Sequence, residues 1–273
     1  MEEIEENIAN IPVYVPNDRY DVNHSLIAAF NSESDVNQFC STYTHLNGYS
    51  GLKLGQRIKI NDGSYNKTWY IAGFDYEANN KAADGKVKSN GYGIHLVPES
   101  NLTTYNWYSN SRIGIGYIYS DIHNFCNTRV ALVLQSILGS HLINRNVLLS
   151  SSISSTYESG ASAYKWTTAY CTLMSVCQIT GSFGNHCTKY DDGEANYKLP
   201  LYNFISYYYT NDNYNYWLRN TWGSYGPDQG SSAGRYCAYR TYTDTHYNTG
   251  KGYYVVNTTT NGSVGVRPMI YIR

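Results

Sequence analysis

The chain has 273 residues, 42% hydrophobic and only 15% charged, and its 20 basic and 21 acidic side chains leave a formal net charge of -1 with a pI near 6.6. That balance, with no Lys/Arg cluster, offers no field to recruit a polyanion, so nucleic acid is excluded as an expected partner. No apolar run approaches the roughly 18 residues of a spanning helix, which sets membrane insertion aside.

The length suits one large domain or two modest ones, read here as one body (20–273) behind a lead-in (1–19). That lead-in begins MEEIEENIANI, acidic where a signal peptide is basic, and Pro12 and Pro16 break any helix, so it reads as a tether without a Sec signal. From Asn31, Ser32 can cap a helix of about ten residues, with Glu33 and Asp35 in its first turn and Val36, Phe39 and Cys40 on one face. Leu52, Leu54, Ile58 and Ile60 alternate, and after the turn-forming NDGSYN comes KTWYIAGFDYEAN, which together predict two strands joined by a hairpin. A polar loop leads to a third strand, GIHLVPE, ending at Pro98.

Between Tyr119 and Leu138, Ile122, Phe125, Cys126, Val130, Val133, Leu134 and Ile137 recur at helical spacing, with Ser120 as cap and Gly139 as stop. HLINRNVLLSSSIS is extended. In AYKWTTAYCTLMSVCQITG, Trp166, Tyr170, Leu173 and Cys177 share a helical face, which predicts a second large helix stopped by Gly181. VGVRPMIYI closes the chain as a core strand, with Pro268 implying an edge or a bulge. The fold class expected is α+β. Of the six cysteines none forms a CxxC pair, and Cys171 and Cys177 fall on different faces of that predicted helix, so packing is expected rather than a disulfide framework or a zinc site.

Residues 207–262 stand apart. They hold 12 of the 31 tyrosines, while Leu218, Val255 and Val256 are their only aliphatics larger than alanine. Such a segment cannot build a core by itself, yet its aromatic density argues against disorder. Tyr with Ser, Gly and Asn is the composition of antibody loops, in which rings give contact area and small polar groups give adaptable hydrogen bonds. The segment reads as a ligand-binding face, and an ordered excursion of this length needs its two ends held together, most simply as antiparallel neighbours.

YWLR (Tyr216 to Arg219), GVRP (Gly265 to Pro268), HLINRNVLLSS, YKWTTAYCTLMSV, YDDGEANYKLPLYNF and the hairpin block WYIAGFDYEANNKAADGKVKSNGYGIHLVPE together resemble the C-type-lectin-like variable proteins of diversity-generating retroelements, of the bacteriophage and prophage type. The resemblance spans about residues 30–273. It implies a C-type-lectin-like fold with two main helices, short antiparallel strands and a long C-terminal display region, in which adenine rewriting leaves a hypervariable, Tyr-rich binding surface. Trp217, Arg219, Gly265 and Arg267 would be framework. The ligand-binding set would be Asn213, Tyr214, Asn220, Trp222, Tyr225, Asp228, Arg235, Tyr236, Tyr239, Arg240, Tyr242, Asp244, His246 and Tyr247. The implied role is receptor binding or adhesion to a bacterial surface protein or glycan, from a virion or cell surface, with a homo-oligomer adding avidity.

Chemistry is thin by comparison. Asp191, Asp192 and Glu194 are three carboxylates where a calcium or magnesium site needs about six oxygens, so a capped turn is favoured over a metal. Trp217 is followed by Leu218 and Arg219 rather than by the Asn-Asp of sugar-binding lectins. Cys237 lacks the partner cysteine of the formylglycine-generating oxidases that share the broad fold, and no GxSxG, HExxH, Walker A or dinucleotide glycine motif occurs. His246 reads as a contact rather than a base, and Arg219 and Arg267 as makers of structural bonds. A non-enzymatic binder with no cofactor is the leading reading; a fixed particle protein using the segment as a subunit interface, and an oxidase-like enzyme, are the alternatives.

Overall fold

The computed structural model describes residues 19–107, 116–153, 161–181, 197–205, 216–219, 238–239, 254–255 and 264–273. Residues 1–18 of the tether, the Asp191, Asp192 and Glu194 turn, Cys187 and Cys237 lie outside them.

The elements run β1 (Leu26–Phe30), α1 (Glu33–Thr42), β2 (Arg57–Asn61), β3 (Asn66–Phe74), the short α2 (Tyr76–Asn79) and β4 (Ile94–Pro98). They continue with α3 (Asp121–Phe125), a π-helical turn (Cys126–Val130), α4 (Ala131–Leu138), β5 (Arg145–Ile153), β6 (Ala161–Ala169), β7 (Thr172–Leu173) and α5 (Val176–Thr180). Two short strands, β8 (Ala238–Tyr239) and β9 (Tyr254–Val255), precede β10 (Pro268–Ile272). The class is mixed α+β: one six-stranded sheet in the order β1-β2-β3-β4-β10-β7, a β5–β6 hairpin and a β8–β9 pair.

Ser32 accepts from the Asp35 backbone in a reciprocal capping box, and Ser120 accepts from the His123 backbone, as the sequence predicts for both helices. The α3–α4 helix ends at Gly139, where a Cβ would fall 1.9 Å from the Glu33 carboxylate. Glu33 Oε1 accepts from Ser140 N at 2.9 Å, so the glycine allows the start of α1 to lock onto the end of α4. β2, β3 and β4 form the predicted antiparallel run. β1, which the sequence reading omits, pairs parallel with β2; its exposed Leu26 and its two alanines break the alternation that marks a strand.

Three expectations are corrected. The helix predicted over 163–181 is strand β6, strand β7 and the five-residue α5. Thr167 and Thr168 beside Tyr164 and Trp166 pack better on a pleated ribbon paired with β5, and the apparent helical spacing joins residues of three different elements. Cys171 and Cys177 accordingly do not share a helix, and neither they nor Cys40 and Cys126 form a disulfide. Finally, β10 is an interior strand between β4 and β7: Pro268 is its first residue, where a missing N–H is tolerated without an edge or a bulge.

Candidate functional site

Two described stretches that bound most of the segment singled out as a binding face, residues 216–219 and 264–267, meet at one place. Tyr216 bridges Gly265 in parallel, and Trp217 N donates to Gly265 O at 2.9 Å. The two ends are therefore held side by side as expected, but parallel rather than antiparallel. Gly265 also bridges Thr104 in antiparallel sense, and Tyr105 N donates to Val264 O and Val266 N to Thr103 O, so three stretches of chain meet at this root.

Side chains fix the junction from below. Trp217 is fully buried; its indole N–H donates to Tyr105 O at 2.7 Å and its ring lies 5.9 Å from that of Trp107. Arg219, 1% exposed, donates from its backbone N to Met174 O and from Nη1 to Leu173 O, both at 3.0 Å. Arg267 places its guanidinium 4.9 Å from the Tyr216 ring centroid and donates from Nε to Asn101 Oδ1 at 2.8 Å. These are the structural bonds expected of both arginines. A Cβ on Gly265 would fall 2.0 Å from the Asn101 amide, so only glycine admits that side chain.

The helix supports the same junction. Asn127, in the π-helical turn, accepts from Cys171 N and donates to Cys171 O, and Phe125 stacks on Tyr105. His123 is buried near Arg219; burial and then that guanidinium push its imidazole down to about 4, so it is neutral at pH 7.

Of the fourteen residues proposed to bind ligand, Tyr239 alone is described, and only as backbone: β8 pairs antiparallel with β9, Tyr239 opposite Tyr254. Asn213, Tyr214, Asn220, Trp222, Tyr225, Asp228, Arg235, Tyr236, Arg240, Tyr242, Asp244, His246 and Tyr247 lie outside the described residues.

Two polar clusters escape the sequence reading. The first is buried. Glu77 Oε1 lies 3.1 Å from Arg145 Nη1 and 3.4 Å from His95 Nε2, and Oε2 lies 3.5 Å from Lys88 Nζ and accepts from Asn90 at 3.1 Å. Burial works to raise the Glu77 carboxyl, but Lys88, the His95 contact and Arg145 outweigh it and hold it well below the usual carboxylate range. Burial pushes His95 down to about 4, leaving it neutral. Arg145 also donates to Thr172 Oγ1 and Met269 O, tying the β5–β6 hairpin to β7 and β10. This is a scaffold: every charge faces a partner inside the body.

The second cluster is reachable from outside. Asp75, fully buried, accepts from Tyr49 OH, from Gly93 N at 2.9 Å and from His45 Nδ1 at 2.5 Å. His45 stacks face to face on Tyr92, centroids 3.6 Å apart. Tyr49 and Asp75 both have positive φ, at 59° and 53°, strain that no sequence motif announces.

Among the described residues no group of three or more His, Cys, Asp or Glu is placed to hold a metal, and no helix is long and apolar enough to cross a membrane. Comparison with protein-family models, with curated proteins and with solved structures found no match to this chain.

Proposed function

We propose that the chain is a non-enzymatic ligand-binding protein of the C-type-lectin-like, retroelement-diversified type, presenting residues 207–262 to a bacterial surface protein or glycan. Its place would be a phage virion or a bacterial cell surface, where its work is receptor binding or adhesion. The observation that carries this reading is the root. Residues 216–219 and 264–267, which bound positions 220–263 of the Tyr-rich region, are buried, hydrogen-bonded and joined by one bridge, so substitutions between them need not disturb the body's core. A scaffold meant to tolerate sequence change in one segment requires that separation, since core positions feel even single-methylene changes.

Tyrosines would supply the anchors, with Asn, Ser and Thr adjusting hydrogen bonds around them. The test replaces Tyr236, Tyr239, Tyr242 and Tyr247 together by serine and follows folding, oligomeric state and adhesion to a panel of bacterial cells. The reading predicts an unchanged fold and assembly with lost or altered adhesion. A changed oligomeric state with unaltered adhesion would transfer the segment to the subunit-interface alternative.

A further inference from the structure

We propose that the cleft beside His45 is a second binding site, for a small planar ring carrying an O–H or N–H donor, of the phenol class. The site is separate from the Tyr-rich segment. β10 runs from the root at Pro268 to Ile272 at the cleft, and the eight steps from Gly265 to Arg273 put the two about 25 Å apart if extended.

The cleft has a volume of about 120 Å³ and lies between the end of α1, the His45–Gly51 turn and the paired ends of β4 and β10. Tyr43, Tyr49, Tyr92, Ile94 and Ile272 make most of its wall, so the walls favour an apolar, flat occupant no larger than a single ring. Tyr92 is half exposed and the neighbouring Leu46 is 84% exposed, which leaves apolar surface at the rim.

Thr44 and Arg273 also line the cleft, and His45 adds a fixed acceptor to it. The Asp75 carboxylate accepts three hydrogen bonds, one of them from His45 Nδ1, so whenever the ring carries a single proton that proton sits on Nδ1 and Nε2 keeps its lone pair. Asp75 holds the ring by one edge and Tyr92 by its face, and the side chain remains 17% exposed. A fixed acceptor in an apolar cleft selects a donor, because a ring without one leaves the acceptor unsatisfied. Cys40 also borders the cleft, but burial pushes its thiol up to about 12, so no thiolate is offered and the site binds without reacting.

The probes are phenol and toluene, titrated into full-length protein labelled with 15N-histidine and followed by the ring nitrogen shifts of His45. Phenol should give a saturable shift at Nε2 with millimolar affinity, and toluene should bind at least about tenfold more weakly. In His45→Phe, with both probes followed by titration calorimetry because the imidazole is gone, the difference between phenol and toluene should disappear. Tyr92→Ala, at a half-exposed position, should weaken phenol several-fold while leaving the shifts of buried His95 and His123 in place, which reports an intact fold. Absence of any saturable His45 shift, or toluene binding as well as phenol, overturns the proposal. Neither result touches the role of the Tyr-rich segment.

Discussion

β10 has two ends, and they are built on different physical terms. At Pro268 the strand leaves a junction of buried rings and arginines: Trp217 under Trp107, Arg219 on the carbonyls of Leu173 and Met174, Arg267 over Tyr216. At Ile272 it reaches a cleft where a strained turn and a buried carboxylate hold one imidazole with an edge exposed. On the proposed reading the first end is fastened so that the segment beyond it can change. The second is rigid so that one atom is aimed.

The sharpest way to break the first end is Trp217→Ala, which removes a fully buried indole and orphans the Tyr105 carbonyl. It should cost about 3–5 kcal/mol in urea unfolding, whereas a surface tyrosine should cost within about 0.5. Acid gives the next largest effect. His95 and His123 have folded-state values near 4 against 6.5 when unfolded, so the unfolded chain binds more protons as pH falls through 6.5 and stability declines until about 4. By pH 5 the loss should be about 2 kcal/mol for each histidine relative to neutral pH. The urea midpoint should therefore drop steeply from pH 7 to 5, and a midpoint independent of pH would mean that neither imidazole is buried neutral.

Gly265→Ala is a smaller perturbation of the same root. The added methyl must displace the Asn101 amide and with it the Arg267 bond, for about 1–3 kcal/mol. A neutral outcome in a thermal melt would show that the junction has room to give. Tyr92→Ala at the other end should change stability by no more than about 0.5 kcal/mol, because the ring is half exposed and its partner His45 stays anchored by Asp75. The contrast between the two ends stands if the root substitutions lower stability and this one does not.

How much of this was legible in the sequence depended on whether the determinants were local. Ser32 and Ser120 were readable as caps because a cap is decided within one turn, and β2 to β4 because alternation and a turn sit together in the chain. That the two ends meet was readable from the length of the excursion, which needs its ends held together; the parallel sense of the bridge was not, and the framework role of Trp217, Arg219, Gly265 and Arg267 came from the resemblance alone. β6 was misread because residues at helical spacing occurred by coincidence across a strand, a bridge and a short helix, and strand pairing with β5 decided otherwise. β1 lacked alternation altogether. His45, Asp75 and Tyr92 come from three turns and meet through left-handed backbone at Tyr49 and Asp75; Tyr carries no such preference and the mild one of Asp is shared by every aspartate in the chain, so nothing local singled out the cleft. The Glu77 cluster is hidden for the same reason, its charges being spread from residue 77 to residue 145.

The claim that the root separates a changeable segment from an unchanging body is tested most directly by sequencing this locus, with its neighbouring DNA, from many isolates. The account predicts amino-acid differences confined to positions between Arg219 and Gly265, with Trp217, Arg219, Gly265 and Arg267 constant and a near-copy template repeat and a reverse transcriptase gene alongside. Differences spread evenly over the chain, with no template repeat, would contradict it.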